Sequence, residues 1–391
     1  MTSIEDAKAL IKTHTLSPKE SKQHIKDSLG FVLSQDVYSP INLPSFHQSA
    51  MDGYAISFST PTTRFKIIAE VKTGDIQALT IKKGECARIF TGAMIPQGTT
   101  AVVMQEKVVA NVDEINLEEP PIKGSNIRLT GEQIKKNQIA LNKGTVLNPA
   151  GIGFLTALGI TDVYVYQKPS ISIIVTGNEL SRPNEKLEPG KIYESNSQML
   201  ASALNESGYT SDNIVWVKDD LKNTTQELEL ASKKSDVVIV SGGISVGDHD
   251  YVEKALQNIG VKEVFYKVNQ KPGKPMFFGH NETTLFFGLP GNPSASLICF
   301  YHYVLLSLKM MSGFKDVELE KRELISQNNF IKKGSRPQFL KAKTNQSQVQ
   351  LLEGQSSAML HTFAQANALV YLPEPQQNVV IGDKITAYML P

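Results

Sequence analysis

The sharpest local cationic feature of the sequence is the basic segment Lys271-Pro272-Gly273-Lys274-Pro275. Prolines on both sides of a glycine restrict the backbone, so the two ammonium groups keep little freedom of position. At about 4 Å and an effective dielectric of about 20, each lysine would attract a unit anion by about 4 kcal/mol before desolvation costs. The segment therefore predicts an anion-binding site, with a solvated surface turn as the alternative.

Glycine-rich segments follow three apolar stretches that read as β-strands. They are Thr176-Gly177-Asn178-Glu179 after Val175, Ser241-Gly242-Gly243 after Val240, and Gly288-Leu289-Pro290-Gly291-Asn292-Pro293 after Phe287. Glycines allow a ligand to approach the backbone closely, and free N–H groups at a helix start favour phosphate. Because ligands bind beyond the carboxyl ends of parallel strands, the segments predict one phosphate-binding edge. For any one of them, a tight turn without a ligand is the alternative.

Two carboxylates follow the second glycine segment. Asp248 and Asp250 flank His249, and carboxylate oxygens beside a phosphate are the ligands that Mg²⁺ prefers. Asp250 ranks before Asp248 as a metal ligand, and the alternative is that Asp250 caps a helix beginning near Tyr251. His249 is expected to face solvent, because a lone histidine lacks the partners that metal ligation needs.

The elements around these residues predict an α/β domain. Strands at 171–175, 237–240 and 285–287 each precede a turn and a helical stretch. Such an alternation indicates a mostly parallel sheet with helical crossovers. Residues 276–278, directly after the basic segment, are predicted to form a buried strand that anchors this segment at a sheet edge.

The segments before and after this α/β domain show a different sequence pattern. A helix capped by Ser3 is predicted to open the chain, and Ser17-Pro18 is predicted to open a second helix. Residues 65–117 contain short apolar runs separated by glycine turns, and similar runs recur at 369–372 and 384–387. Each of these two regions is predicted to form a small β domain.

Composition limits the class of protein. The 391 residues suggest two to four domains of about 100–200 residues, and 40 basic against 39 acidic side chains leave a net charge of +1. No global field therefore favours nucleic acid or an acidic membrane. Cys86 and Cys299 lack metal-binding spacing and indicate a reducing compartment. No targeting pattern is evident, and the most apolar stretch, 297–308, falls short of the about 20 residues of a membrane span. A cytoplasmic protein is predicted.

Several common catalytic motifs are absent from the sequence. There is no G-x-x-x-x-G-K-[ST] segment and no H-E-x-x-H, so kinase and zinc-protease interpretations lack their motifs. The residues alone predict a multidomain enzyme with an anion and metal site on an α/β domain.

Taken together, these segments resemble the molybdopterin molybdenumtransferases of molybdenum cofactor biosynthesis, a family that includes the bacterial MoeA proteins and the E domain of gephyrin. The matching strings are Ser49-Ala50-Met51-Asp52-Gly53-Tyr54-Ala55, Thr91-Gly92-Ala93, and residues 241–250, 271–275 and 288–293. Each string is short, but they occur in the family's order and cover nearly the whole chain.

The resemblance implies a multidomain α/β fold with four domains. They are an elongated α+β dimerisation domain at 1–40 and 136–168, an inserted β-rich domain at 41–135, a central three-layer α/β/α molybdopterin-binding domain with a mixed, mostly parallel sheet at 169–313, and a C-terminal β barrel-like domain at 314–391. It also implies a homodimer with the active site at the subunit boundary, and transient contacts with the adenylyltransferase and with molybdoenzymes.

The implied reaction takes adenylylated molybdopterin and molybdate, releases AMP and leaves molybdenum on the pterin dithiolene, with Mg²⁺ as the cofactor. The substrate supplies the sulfur ligands, so the protein needs oxyanion donors rather than thiolates. The presence of only two cysteines agrees with this requirement.

Carried over position by position, the implied site residues form three groups. Molybdate would be bound by Lys271, Lys274, Pro275, Arg336 and Ser357; the substrate by Thr91, Thr176, Glu179, Ser241, Gly242, Gly243, Pro290, Gly291 and Asn292; and Mg²⁺ by Asp248 and Asp250. The catalytic group would be Asp52, Asp250, Lys271 and Lys274, with Asp52 reaching in from the other subunit. Without the family, Asp52 reads as a turn aspartate, and Arg336 and Ser357 read as surface residues.

Four positions depart from the usual family pattern. His47 and Gln133 stand where aspartate is usual, Glu194 replaces a frequent aspartate, and Ala295 replaces a frequent serine. A low-activity paralogue or a scaffold is therefore one alternative. The preceding step, adenylylation of molybdopterin, is another, although the segments around Asp52 and Thr91 would be superfluous for it.

Overall fold

A computed structural model describes residues 1–60, 62–76, 78–244 and 251–391. The chain forms two compact units. The larger unit contains Met1–Lys22, Gly30–Ser34 and Tyr164–Pro391, and the smaller unit contains Gln23–Leu29 and Gln35–Val163. Each unit has its own sheets and its own buried core.

The helices of the described residues are α1 (Ile4–His14), α2 (Pro149–Ala157), α3 (Asn196–Glu206), α4 (Leu221–Ser232), α5 (Tyr251–Asn258), α6 (Pro293–Cys299), α7 (Leu305–Met311) and α8 (Leu360–Phe363). Short 3₁₀ turns lie at Ile25–Asp27 and Gln105–Lys107, and a π-helical turn at Phe300–Val304 joins α6 to α7.

The strands before residue 170 are β1 (Glu20–His24), β2 (Val37–Tyr38), β3 (Gln48–Ser49), β4 (Gly53–Ile56), β5 (Arg64–Val71), β6 (Glu85–Ile89), β7 (Ala101–Met104), β8 (Val108–Ala110), β9 (Glu114–Leu117), β10 (Ile127–Arg128), β11 (Ile139–Leu141) and β12 (Asp162–Tyr166). The later strands are β13 (Ile171–Thr176), β14 (Leu180–Ser181), β15 (Ile192–Tyr193), β16 (Asn213–Val217), β17 (Val237–Ser241), β18 (Lys262–Tyr266), β19 (Phe277–His280), β20 (Leu285–Leu289), β21 (Lys321–Ser326), β22 (Phe330–Ile331), β23 (Gln338–Thr344), β24 (Gln348–Leu351), β25 (Ala368–Leu372), β26 (Asn378–Val379) and β27 (Lys384–Met389).

The larger unit is built around a six-stranded sheet in the order β16-β13-β17-β20-β19-β18. The first four strands pair in parallel, and β19 runs antiparallel to both of its neighbours. The register places Val175 opposite Ser241, and Ser241 opposite Leu289. The carboxyl ends of β13, β17 and β20 therefore lie side by side, which confirms the predicted mixed, mostly parallel sheet.

Helices cover both faces of this sheet. Ile173 and Ile239 lie in one apolar cluster with side chains of α1, α3, α6 and α7. Their neighbours Ile174 and Val238 lie in a second cluster with side chains of α4 and α5. Successive strand residues point to opposite faces of a sheet, so the two clusters are the two sides of a three-layer α/β/α arrangement. This part of the fold prediction is confirmed.

The C-terminal region of the larger unit forms a closed barrel in the order β21-β24-β23-β25-β27. Inward-facing residues such as Leu340, Val370 and Ile385 are almost fully buried and pack against one another. The runs predicted at 369–372 and 384–387 correspond to β25 and β27, so the predicted barrel-like domain is confirmed.

A second six-stranded sheet, in the order β7-β4-β6-β5-β9-β8, forms the core of the smaller unit. The β-rich character predicted for residues 65–117 is confirmed by β5 to β9. Strand β4 is buried between two partners, and a Cβ atom on its first residue, Gly53, would lie 1.9 Å from the Val103 carbonyl oxygen. Glycine is therefore required at this position, which places Asp52 at the start of a fixed strand.

One prediction about elements is wrong. The segment after Ser17-Pro18 is strand β1, whose residues alternate between exposed and half-buried, a period-2 pattern that belongs to a strand rather than a helix. The buried strand predicted at 276–278 exists as β19. It pairs with β20 on one side and, on the other, with β18, a strand that is not among those predicted.

The segment from α6 through the π-helical turn to α7 is one continuous helical run, Pro293–Met311. The helix extends beyond the dozen residues of the apolar stretch 297–308, because residues 293–296 at its start and 309–311 at its end are also helical. Within the described residues it is the one helix long and apolar enough to cross a membrane. In this fold 89% of it is buried inside the protein, as is usual for a core helix.

Candidate functional site

A cavity of about 620 Å³, hereafter the lysine cavity, lies between the α/β sheet and the barrel of the larger unit. Its lining residues are Lys271, Pro272, Gly273, Lys274, Pro275, Pro290, Asn292, Ala295, Phe330, Ile331, Lys333, Arg336, Gln338, Gln355, Ser356 and Ser357. All five residues predicted to bind molybdate are among them. The structure thus brings together positions up to 86 residues apart in sequence, from Lys271 to Ser357.

The basic segment is held against the barrel by backbone hydrogen bonds. The Lys271 amide donates to the Pro337 carbonyl over 2.9 Å, and the Phe339 amide donates to the Lys271 carbonyl over 2.8 Å. The Arg336 guanidinium donates to the Gln270 carbonyl over 3.0 Å. These bonds fix the basic segment and Arg336 relative to each other, so their positive charges line the cavity together.

Behind the cavity, a buried glutamine supports the same segment. The Gln270 amide nitrogen donates to the Pro272 carbonyl over 3.0 Å, and its side-chain oxygen accepts a hydrogen bond from the hydroxyl of Tyr303. Tyr303 belongs to the π-helical turn, a feature that often occurs near functional sites. Gly273 has a φ of +88°, and a Cβ atom there would lie 2.6 Å from the Cys299 sulfur. Only glycine fits this point of the turn.

A loop of the barrel domain, residues 354–359, supplies the remaining wall. Its Ser357 hydroxyl accepts a hydrogen bond from the Asn292 side chain over 3.1 Å, and its carbonyl accepts one from the Ser294 amide over 3.1 Å. Ala295 lies in the cavity wall beside them. A serine at that position would place one more hydroxyl in the wall, so the substitution removes a polar group from the cavity.

A second cavity, of about 570 Å³, lies beyond the carboxyl ends of β13, β17 and β20 and is hereafter the strand-end cleft. It shares Pro275, Pro290 and Asn292 with the lysine cavity, so the two are continuous. It contains every substrate-binding residue predicted in the larger unit: Thr176, Glu179, Ser241, Gly242, Gly243, Pro290, Gly291 and Asn292.

The glycines of the strand-end cleft are required by close packing. Gly242 has a φ of +92°, and a Cβ atom there would lie 2.3 Å from the Thr176 carbonyl oxygen. Gly243 has a φ of +61°, and its Cβ atom would lie 2.7 Å from Val252. Side chains are therefore excluded, and the backbone of this loop stays open to a ligand.

Two polar residues of the cleft are not among the predicted site residues. The Asn196 amide nitrogen donates to the Ser241 hydroxyl and to the Gly291 carbonyl, both over 2.8 Å. The buried Asn196 side-chain oxygen has no hydrogen-bond partner within the described residues. The Asp219 carboxylate accepts from the Thr176 hydroxyl over 2.5 Å and from the Asn178 amide over 3.1 Å.

A sequence signal for Asp219 exists, because it stands two residues after the carboxyl end of β16. The apolar run from Ile214 to Val217 is as long as the run at 237–240 that predicts a strand, so this strand end is recognisable from the sequence.

Glu194, one of the departures from the family pattern, accepts a hydrogen bond from the Ser197 amide over 2.9 Å. This carboxylate therefore satisfies an amide at the start of α3, a role that either acidic residue can fill.

The predicted magnesium ligands Asp248 and Asp250 lie outside the described residues. Within residues 1–60, 62–76, 78–244 and 251–391, no group of three or more His, Cys, Asp or Glu side chains could hold a metal ion. The strand-end cleft is lined by the carboxylates of Glu179, Glu194 and Asp219, oxygen donors of the type that Mg²⁺ accepts. The magnesium site remains a prediction.

The smaller unit contains a separate polar pair. The Asp52 carboxylate accepts hydrogen bonds from the Thr91 amide over 2.7 Å and from the Thr91 hydroxyl over 2.8 Å. These two bonds, the backbone one first, lower the pKa of Asp52, and nearby Arg88 acts in the same direction. Asp52 is therefore ionised and held in one orientation, and the structure brings together two residues that the sequence singles out separately.

The lysine cavity has the chemistry of an oxyanion site. Three lysines and one arginine line it, and Lys333 is not among the predicted residues although it lies three positions before Arg336. Ammonium and guanidinium groups with a serine hydroxyl bind oxygen atoms of a tetrahedral anion through charge-assisted hydrogen bonds. The adjoining strand-end cleft offers bare amides suited to phosphate.

Known proteins resemble this chain along its whole length. Three family models match it: the MoeA N-terminal region (domains I and II) at residues 2–159, a probable molybdopterin-binding domain at 172–310, and the MoeA C-terminal region (domain IV) at 323–390. The molybdopterin molybdenumtransferase of Haemophilus influenzae is 31% identical over 99% of this chain and 98% of that protein. The one from Staphylococcus aureus strain Mu50 is 32% identical over 92% of this chain and 89% of that protein.

A solved structure agrees with these matches. The molybdopterin biosynthesis MoeA protein from Pyrococcus horikoshii OT3 has a TM-score of 0.84 at 28% identity, and the alignment covers 100% of both chains. Since relatives above 30% identity align along nearly the full length, and since the same order of regions recurs, this chain belongs to the MoeA family of molybdopterin molybdenumtransferases.

Proposed function

We propose that this protein inserts molybdate into adenylylated molybdopterin, with release of AMP, as a step of molybdenum cofactor biosynthesis. The observation that carries the proposal is the continuity of two cavities: a cation-lined one beside a glycine-lined one, with Pro275, Pro290 and Asn292 shared by both. A tetrahedral oxyanion and a phosphate-containing substrate would then bind next to each other, as the transfer requires.

The charged and the uncharged residues of the two cavities would have different roles in the reaction. Lys271, Lys274 and Arg336 would neutralise molybdate, so that the dianion can approach a substrate that is itself anionic. Ser357 would donate a directional hydrogen bond to one of its oxygens. The open backbone of Gly242 and Gly243 would hold the phosphate. The Asn196 oxygen, for which the described part of the chain offers no hydrogen-bond partner, would accept a hydrogen bond from the substrate.

Mg²⁺ is part of the proposal through Asp248 and Asp250, which follow the glycine loop in sequence. Carboxylates at that position, beside the phosphate-binding backbone, fit the oxygen preference of the ion. Bound there, Mg²⁺ would withdraw charge from the substrate's phosphate oxygens. The described residues of the cleft would bind and orient the rest of the substrate.

The family resemblance supports several further parts of the proposal. They are the four-domain division at residues 1–40 with 136–168, 41–135, 169–313 and 314–391; a homodimer in which Asp52 serves the active site of the other subunit; a cytoplasmic location; and transient contacts with the adenylyltransferase and with molybdoenzymes.

The test is a turnover assay with purified protein, adenylylated molybdopterin and molybdate, in which AMP release and pterin-bound molybdenum are both measured. Lys274→Ala should lower the rate of AMP release at least about 100-fold, as expected for loss of one group that stabilises charge in the transition state. The oligomeric state should not change.

A matched control is Lys384→Ala, which removes the same charge from an exposed position in the barrel that is not part of the lysine cavity. It should retain wild-type turnover. Undiminished AMP release in Lys274→Ala would remove the proposed oxyanion role of this lysine.

Adenylylation of molybdopterin is the second candidate and is not favoured. The matches extend over the N-terminal and C-terminal regions of MoeA as well as the molybdopterin-binding domain. Incubation with molybdopterin, ATP and Mg²⁺ distinguishes the two, because formation of adenylate without another enzyme would favour this candidate.

A low-activity paralogue would bind molybdate and yet release AMP slowly in the first assay; Ala295 in the cavity wall is the substitution that motivates this measurement.

A further inference from the structure

A fully buried lysine stands behind one wall of the lysine cavity. Lys341, on barrel strand β23, is 1% exposed and does not line the cavity. Its ammonium group donates to the carbonyl oxygens of Gly354 at 2.8 Å, Ser356 at 3.1 Å and Met359 at 2.9 Å. An ammonium has three N–H donors, so its hydrogen-bonding capacity is used entirely on one loop, residues 354–359.

The main chain of the same lysine holds this loop a second time. The Lys341 amide donates to the Gln355 side-chain oxygen over 2.9 Å, and the Gln355 amide nitrogen donates to the Lys341 carbonyl over 2.8 Å. Gln355 also donates to the Leu352 carbonyl over 2.6 Å. Lys341 thus connects strand β23 to the loop through both its backbone and its side chain.

The loop held in this way is the one that presents Gln355, Ser356 and Ser357 to the lysine cavity. A short loop with few apolar side chains has little buried apolar surface to fix its conformation. The hydrogen bonds with Lys341 fix the conformation of this loop instead. Charge-assisted hydrogen bonds are about twice as strong as neutral ones, which suits a single side chain to this task.

We infer that Lys341 is a positioning residue for oxyanion binding: its ammonium group fixes residues 354–359 so that Ser357 faces the anion. This inference rests on the proposed function, because the anion is taken to be the molybdate of that reaction. Lys341 acts through the loop and makes no contact with the cavity.

The structure offers a matched control in Lys332. This lysine is also buried, 4% exposed, and its ammonium donates to the carbonyls of Pro373 at 2.7 Å and Glu374 at 2.8 Å. It therefore fixes a different loop, whose two bonded residues do not line the lysine cavity. Lys332→Met and Lys341→Met remove the same kind of interaction from two loops of one barrel.

The experiment measures four quantities for each full-length variant: the Kd for molybdate by calorimetry, the KM for molybdate and kcat by AMP release, and amide hydrogen exchange of residues 352–360. In Lys341→Met we expect Kd and KM to rise at least about tenfold, the equivalent of about 1.4 kcal/mol. We expect kcat at saturating molybdate to fall less than about threefold, with faster exchange at 352–360. In Lys332→Met the first two quantities and the exchange at 352–360 should equal those of the wild type.

Each outcome has a distinct meaning. Wild-type Kd and wild-type exchange in Lys341→Met overturn the inference and leave the proposed function standing. Absence of molybdate binding by the wild type overturns the proposed function itself. Equal weakening in both variants assigns the effect to general loss of barrel stability and also overturns the inference.

A second variant keeps the test decisive if Lys341→Met does not fold. Lys341→Gln retains an amide donor but has a shorter side chain without charge, so it can donate hydrogen bonds to only some of the loop's carbonyl oxygens. Its Kd should lie above the wild-type value, by at least about threefold, and a wild-type Kd with the loop exchange unchanged would again overturn the inference.

Discussion

At the scale of single residues, the site depends on positions where any side chain would collide. Gly273 is the clearest case, because it combines a φ of +88° with a Cβ position 2.6 Å from the Cys299 sulfur and 2.7 Å from the Gln270 amide nitrogen. Both neighbours belong to the buried support of the basic segment. A side chain at residue 273 would therefore displace the lysines on either side of it.

We predict that Gly273→Ala weakens molybdate binding at least about tenfold and destabilises the protein by about 2–5 kcal/mol. The backbone conformation alone costs about 1–2 kcal/mol for an alanine, and overpacking adds about 1–3 kcal/mol. Calorimetry with molybdate and urea unfolding measure the two effects.

The control for this prediction is Gly260→Ala. Gly260 has a φ of +75°, and no atom lies within 4 Å of the point that a Cβ atom would occupy at that residue. The variant bears the backbone cost without the collision, so its stability should fall by about 1–2 kcal/mol while molybdate binding stays unchanged. Equal binding losses in both variants would show that strain, rather than displacement of the basic segment, weakens the site.

Residue types and spacing alone predict only part of the charged lining of the lysine cavity, since Lys333 also lines it and is not among the predicted residues. Lys271 and Lys274 are recognisable because two prolines and a glycine surround them, and Arg336 and Ser357 are placed by family resemblance. Asn196 and Asp219 escape prediction because their roles are pairings through space, with Ser241 and Thr176. No local pattern marks such a pairing in a single sequence.

At the scale of elements, the N-terminal helix α1 is joined to the segment before the barrel by one carboxylate. Glu318 accepts hydrogen bonds from Lys8 over 2.9 Å and from Lys12 over 2.6 Å, two residues one turn apart on α1. Burial by itself raises the pKa of Glu318, but the hydrogen bonds from Lys12 and Lys8 outweigh it and lower the pKa to about 2. For the more deeply buried Lys8, desolvation dominates and lowers the pKa.

The pKa of Glu318 sets a pH dependence of stability. Its folded-state pKa lies below the ordinary value of 4.5, so its contribution is complete above pH 4.5 and is lost as the pH falls toward 2. Because the carboxylate is 28% exposed, solvent screening reduces that contribution to about 1–2 kcal/mol. We predict that Glu318→Gln lowers stability by this amount at pH 7 and by much less at pH 3.

Trp216 is the only tryptophan and lies in the larger unit, so its fluorescence during urea unfolding measures this effect. Glu320→Gln is the control, because Glu320 is more exposed and pairs with Arg322 two residues away. Its pH dependence should match the wild type. A pH dependence unchanged in Glu318→Gln would mean that α1 is held by apolar packing alone.

Elements with strong local signals are predicted correctly, and those without them are not. Helix α1 has Ser3 as its cap, with the Asp6 amide donating to the serine hydroxyl over 3.0 Å, and the strands of the parallel sheet are continuous apolar runs. Strand β1 resembles a helix in sequence because its five residues are all polar. The position of β18 outside β19 depends on tertiary pairing, which hydrophobic pattern does not record.

At the scale of the whole molecule, a chain with a net charge of +1 concentrates positive charge in one cavity of the larger unit, while the ionised Asp52 lies in the smaller unit. The family resemblance implies that Asp52 acts in the active site of the other subunit. If so, each site of a homodimer draws its lysines and its aspartate from different chains, and two inactive variants can complement each other.

We predict that an equal mixture of Asp52→Asn and Lys274→Ala protein, after subunit exchange, releases AMP at about one quarter of the wild-type rate. With random pairing of the two variants, half of the dimers are heterodimers. Each heterodimer has one site with both native groups and one site with neither.

The matched control mixes Lys271→Ala with Lys274→Ala. These lysines line the same cavity of one chain, so no pairing restores a complete site and the mixture should stay inactive. Activity in the control would mean that the lysines are not needed together. An inactive first mixture, with heterodimers verified by mass spectrometry, would place Asp52 and Lys274 of one chain in the same site.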